Sequence, residues 1–200
     1  MTHLINFLFH FIRFSIFVII NIILHESGHL LVAKKCGCGV DIFSIGFCKP
    51  FYRKEYKETI YQISFLLLGG YCKLRDELTN SSDKTAFSNQ SYYKKVLISI
   101  AGCLTNIILG IIFCIIGSKL LNFNMFYFGI ISLSLGITNL LPLPALDGSY
   151  PILVWLEKFY GKEKGYKMME KICRIGFIIL MTINILYLPY LFYLLWKGIL

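Results

Sequence analysis

The sequence predicts an α-helical polytopic membrane protein with about four transmembrane helices. A small membrane-associated β-hairpin is expected on the cytoplasmic side, between the first and second helices. Three observations carry that expectation. Of 200 residues, 56% are hydrophobic and 16% are charged, and a mean hydropathy of +0.67 lies above the range of ordinary soluble domains. Several apolar runs approach the ~20 residues that a helix needs to cross a ~30 Å hydrocarbon core. The charges sit between those runs: eleven of the 20 Lys and Arg residues fall within Lys34 to Lys95 and six within Lys158 to Arg174, whereas Gly117 to Met125 holds only Lys119. The positive-inside rule puts both basic segments in the cytoplasm and the short link outside, so both termini are expected outside in a multi-pass protein of the cell membrane. A net charge of +9 distributed in this way suits acidic lipid headgroups, and no nucleic-acid partner is expected.

The first span is expected within residues 4–33. His3, Asn6, His10 and Arg13 recur at helical spacing along one face of its start, which is expected in the outer interface. No small-residue cleavage site follows this apolar stretch, so it reads as a retained span and not as a signal peptide. From Val40 to Leu74 the periodicity changes. Val40 to Gly46 and Tyr61 to Phe65 are rich in β-branched and aromatic residues and partly alternate, as strands do. Leu66 to Tyr71 is too short to span, and a hairpin dipping into the bilayer would fit it.

Leu78 to Ser91 is polar and reads as a loop. A second span follows at about 96–116, with Ser99, Cys103, Asn106 and Gly110 on one face, as in a close helix contact. The third span, about 126–141, repeats the device with Gly129, Ser132, Gly136 and Asn139, and Pro142-Leu143-Pro144 stops it. Pro151 to Tyr160 reads as an interfacial helix, and about 175–196 as a fourth span kinked near Pro189. No internal repeat or low-complexity tract interrupts what reads as one membrane domain. Of seven cysteines, at least Cys36, Cys38, Cys48, Cys72 and Cys173 are expected near the reducing face, where disulfides do not persist. Cys36-Gly37-Cys38 lacks the second Cys pair or nearby His that would complete a metal site, and its thiols are expected to be inert.

His25-Glu26-Ser27-Gly28-His29 has the pattern H-E-x-x-H. Residues four apart on a helix lie one above the other, so both imidazoles can reach one metal ion. Glu26 is rotated off that line and can act as general base towards a water acidified by zinc, chemistry suited to peptide hydrolysis. The competing reading is a helix-packing hydrogen-bond network. Three such groups within five residues of an apolar span are costly to bury without a partner, which favours a metal. Asn21, one turn earlier, suits either support of a ligand or helix packing. His3 and His10 lie roughly 25 Å or more up the helix from His29, so a carboxylate must supply the third ligand. Asp147 stands out among acidic residues because it follows an apolar span directly and Gly148 allows a tight turn behind it. Read alone, it is equally an Asp-Gly turn or a helix cap before Ser149.

With these residues in place, the chain resembles the site-2 protease family of intramembrane zinc metalloproteases. The resemblance rests on HESGH followed by Asn139-Leu140-Leu141-Pro142-Leu143-Pro144-Ala145-Leu146-Asp147-Gly148, similar to the family's N-x-x-P-x-P-x-L-D-G. Phe43 to Phe47, Leu68 to Leu74 and Ile100 to Asn106 are similar to the bacterial branch that cleaves anti-sigma factors, although Cys103 stands where its A-G-P-x-x-N segment has proline. The likeness runs from about Ile23 to Gly148.

The resemblance implies one Zn2+ per chain held by His25, His29 and Asp147, with Glu26 as catalytic base. The implied activity is cleavage of peptide bonds in or near a transmembrane or signal-peptide-like segment. The link between the second and third spans is too short for the PDZ domain often found there, so an accessory membrane protein is a candidate for substrate selection. A substrate strand is expected to add at Gly69, Gly70 and Tyr71, and Asn106 and Asn139 are candidates for binding its backbone, with interhelical hydrogen bonding as their other reading. Competing functions are a catalytically silent adaptor that binds transmembrane helices, against which the intact Glu26 argues, and a transporter, which would need more intramembrane polar groups.

Overall fold

A computed structural model describes residues 2–76, 82–143 and 146–161, with shorter stretches between 164 and 182. The chain divides into two compact units, Met1–Leu140 and Leu141–Leu200. The first contains α1 (Thr2–Lys35), β1 (Val40–Tyr56), β2 (Thr59–Leu74), a short 3-10 turn (Phe87–Asn89), α2 (Tyr92–Lys119) and α3 (Phe123–Asn139). Among the described residues, Leu8–Lys35 and Tyr92–Lys119 are long and apolar enough to cross a membrane. At 1.5 Å per residue the 17 residues of α3 rise only about 25 Å, short of a ~30 Å core. The expected fourth span falls largely outside the described residues. The fold is therefore mostly helical with a small sheet, and it shows two such helices where about four spans were expected.

Helix α1 stops at Gly37, whose φ of 76° is left-handed. Cys38 N donates to Ala33 O and Gly37 N to Lys34 O, the paired bonds of a Schellman motif, and Lys94 Nζ donates to the freed Cys36 carbonyl at 2.7 Å. This gives Cys36-Gly37-Cys38 a structural role as a helix stop.

The hairpin is longer than the sequence suggests. β1 and β2 pair antiparallel and turn at Lys57 and Glu58, both at positive φ, as in the two-residue turns that match strand twist. Left-handed Gly46 and Cys48 break the register, so that Ile42 to Ile45 each have two partners, one in Ile60 to Ile63 and one in Gly70 to Lys73. Ser44 is consequently fully buried within the sheet. Gln62 Nε2 donates to Ser44 Oγ at 3.1 Å and to Tyr71 Oη at 3.0 Å, which satisfies polar groups that burial would otherwise penalise.

Backbone-to-backbone approach joins α2 to α3. A Cβ on Gly110 would lie 2.9 Å from Gly129 O, and one on Gly129 would lie 2.9 Å from Gly110 O. Small residues permit this approach where lipid offers no competing hydrophobic gain. Ser132 Oγ donates to Asn106 O across the same contact at 2.9 Å. Asn122 caps α3 by accepting from Met125 N.

Arg75 ties the open end of the hairpin. Its guanidinium reaches Asp41 and Glu58, each at 3.2 Å, and Asp83 at 3.6 Å, while Arg75 N donates to Gly39 O and Phe87 N to Arg75 O. The bond to Asp41 raises the pKa of Arg75, and the Thr85 backbone N–H, seconded by its hydroxyl, holds the Asp83 carboxyl below its ordinary value.

In the second unit, α4 (Ser149–Tyr160) buries Leu153 and Leu156 with Met169. Gly148 has φ −61° and ψ −14°, ordinary helical values, so the turn after Asp147 does not depend on glycine's backbone freedom as the sequence suggested.

Removing the guanidinium in Arg75→Ala should cost about 1 kcal/mol, the scale of a partly exposed charge network. Because the Asp83 pKa is lowered on folding, its contribution is complete above the ordinary carboxylate range and is lost as the pH falls through the lowered value. Thermal unfolding in detergent between neutral and acid pH should accordingly show a smaller acid-induced loss of stability in Asp83→Asn than in the wild type.

Candidate metal centre

His25 and His29 face the same way from α1, with ring centroids 5.0 Å apart and Nε2 atoms 3.3 Å apart. Both are buried, at 7% and 9% exposure. The partners of the other ring nitrogens decide what those Nε2 atoms carry. His29 Nδ1 lies 2.8 Å from Ile98 O, a pure acceptor, so Nδ1 donates there and Nε2 is the acceptor nitrogen of the ring. His25 Nδ1 lies 3.4 Å from the side-chain amide of Asn106, whose Oδ1 has no donor in the orientation recorded. As recorded the amide donates to His25 Nδ1, and rotated by half a turn it accepts there instead, so Asn106 can hold the ring in either tautomer.

The two Nε2 atoms lie 3.3 Å apart, close enough for one ion to reach both. The separation fits the donor set to zinc: tetrahedral coordination with Zn–N near 2.0–2.1 Å places two nitrogens about 3.3 Å apart.

The space for both rings comes from α2. A Cβ on Gly102 would lie 2.6 Å from His25 Nε2 and would collide with His29 Nε2. Immediately alongside, a Cβ on Gly28 would lie 2.8 Å from Ala101 O, so the two helices meet backbone to backbone at the level of the imidazoles. Glu26 is half-buried and turned towards β2, where a Cβ on Gly70 would lie 2.9 Å from its Cγ.

The remaining candidates are distributed unevenly. Gly70 and Tyr71 pair with Ile45 and Ser44 of β1, and among the described residues no strand covers the other edge of this part of β2. Gly69 leaves room for the Phe47 ring, which stacks on Tyr71 with an interplanar angle of 9°. Asn106 is fully buried, and its amide lies 3.4 Å from His25 Nδ1, where it holds the ring. Asn139 is half-buried at the end of α3. Asn21 is fully buried and donates to Phe17 O at 2.9 Å, the helix-packing arrangement. Asp147, in the second unit, is a half-buried turn residue whose carbonyl accepts from Tyr150 N. Sequence reasoning did not single out Gly102 or the Ile98 carbonyl. Gly102 was detectable as a small residue one position before the polar face of α2, but a backbone carbonyl leaves no residue signature.

Paired imidazoles on an apolar helix, a carboxylate beside the first and a buried amide behind it make an arrangement able to take up a metal ion. The chain belongs to peptidase family M50, whose model matches residues 13–123 and 118–183. It is 42% identical over 107 residues, half of this chain and 29% of the relative, to a Campylobacter jejuni protein described as a zinc metalloprotease. It is 36% identical over 113 residues, 54% of this chain and 25% of the relative, to the regulator of sigma-E protease RseP of Escherichia coli. The matched stretch thus spans less than a third of either relative's length. In fold it resembles the site-2 protease of Methanocaldococcus jannaschii, with a TM-score of 0.56 and 22% identity over 88% of this chain and 68% of that one.

Because an added methyl at position 102 meets both metal-facing nitrogens, Gly102→Ala should weaken divalent-metal binding by roughly 10–100-fold, the scale seen when support behind metal ligands is lost. Metal content after dialysis against a graded chelator, with helicity checked by circular dichroism, would measure this.

Proposed function

We propose that this chain is an intramembrane zinc metalloendopeptidase that hydrolyses peptide bonds in or near transmembrane segments of membrane proteins. The carrying observation is the pair of buried Nε2 atoms 3.3 Å apart, with both Nδ1 atoms held from behind and Glu26 one residue after the first ring. Membership of family M50 and the metalloprotease relatives support the same reading.

His25, His29 and Asp147 hold one Zn2+ per chain in this proposal. The support for Asp147 is its Leu-Asp-Gly setting beyond a proline-broken apolar segment and the lack of another His within reach of α1's inner end. Zinc, when bound, supplies a Lewis acid that acidifies water and polarises the scissile carbonyl. Glu26 takes the proton of the attacking water and passes it to the leaving amine. Its side chain is held towards the Gly70 strand, and that strand's open edge suits an unwound substrate segment added by backbone hydrogen bonds along Gly69 to Tyr71. Asn139 is assigned to the substrate backbone as well. A helical substrate must unwind locally first, because its amides are otherwise tied up in its own hydrogen bonds.

The basic segments put the centre towards the cytoplasmic face of the cell membrane, with both termini outside. Substrates are transmembrane or signal-peptide-like segments, selected by the membrane core or an accessory membrane protein.

Glu26→Gln should reduce cleavage of a transmembrane model substrate by at least about 10²-fold while zinc stays bound, since only the proton acceptor is lost. Asp147→Asn should lower both zinc content and cleavage. Purified proteins in detergent, assayed by gel and by metal analysis, test both; undiminished proteolysis by Glu26→Gln would refute the assignment of the base.

A further inference from the structure

We propose that Cys103 is a further ligand of the ion at the His25–His29 centre, giving this site a sulfur contact; the inference rests on the zinc reading above. Cys103 is fully buried on α2, and its Sγ lies within 4.8 Å of a His25 ring nitrogen. It follows Gly102, where an added Cβ would meet the Nε2 atoms of both histidines, so the α2 backbone delivers residue 103 at the level of the rings.

Asn106, one turn further along the same face, holds the other side of the His25 ring. It is fully buried, its amide lies 3.4 Å from His25 Nδ1, and its Oδ1 has no donor in the recorded orientation.

Two imidazoles and a thiolate are a donor set that selects zinc. Zn–S near 2.3 Å and Zn–N near 2.0–2.1 Å would put sulfur and nitrogen about 3.5 Å apart. One rotamer step of Cys103 moves its sulfur further than the remaining gap. The thiol proton is released when the sulfur coordinates. With Cys103 joined to the other protein ligands the ion is enclosed by protein, the arrangement of structural zinc sites, whereas hydrolysis needs an open position. Cys103 ligation is therefore a closed resting arrangement of the centre.

Zinc-edge X-ray absorption on the full chain, purified in detergent with one equivalent of zinc, reads the ligands without any activity assay. The expected result is one sulfur neighbour at about 2.3 Å in the wild type, replaced by a nitrogen or oxygen neighbour in Cys103→Ser and lost in Cys103→Ala. Zinc surrounded only by nitrogen and oxygen in the wild type would overturn the ligation while leaving the protease reading intact. Sulfur that persists in both variants would also overturn it by assigning the contact to another cysteine. Failure of the wild type to retain zinc would remove both readings. Should either variant fold poorly, the wild-type spectrum and the other variant still decide.

Discussion

Two imidazole Nε2 atoms held 3.3 Å apart inside an apolar bundle are the constraint on which this structure turns. Ile98 O and the Asn106 amide hold the rings from behind, so the helices that carry those groups set the separation. The backbone around them is organised accordingly. Gly102 stands where any side chain would strike the rings, Gly28 lets α1 and α2 close at that level, and Ser132 fixes the Asn106 backbone from α3. Three helices thus converge on one pair of atoms.

The sheet follows from the same centre. Glu26 is turned towards the sheet, and Gly70 faces it with backbone alone. Strand residues beside it must tolerate burial on both edges, which accounts for the Ser44, Gln62 and Tyr71 hydrogen bonds where apolar side chains would otherwise be expected. Arg75 closes the far end of the hairpin with three carboxylates from separate segments, and the partial exposure of that network limits its worth to the surface scale.

Much of this was legible in the sequence, for identifiable reasons. A long apolar run forced α1, and the four-residue spacing of His25 and His29 fixed their common face regardless of tertiary context. The small-polar stripes of α2 and α3 were readable because close helix contacts select residue size, and size is written in the sequence. The hairpin was underestimated because its turn uses Lys57 and Glu58 at positive φ, where Asn-Gly would have announced it. Its outer strand mixes Lys, Arg and aromatics without clean alternation. The neighbour of Asn106 was not legible, because sequence gives the face of a helix but not what fills it. Gly148 was credited with a turn that ordinary helical angles accomplish.

The Gly110–Gly129 contact bears on how a peptide gains entry to this unit. Helices interlocked main chain against main chain, and joined by only Leu120 to Asn122, cannot slide without lifting apart over neighbouring side chains. That pair is a fixed jamb. In the same unit the Phe47 ring takes the space that a side chain at Gly69 would fill and stacks on Tyr71, so that corner of the hairpin is closed by a side chain and not by main chain.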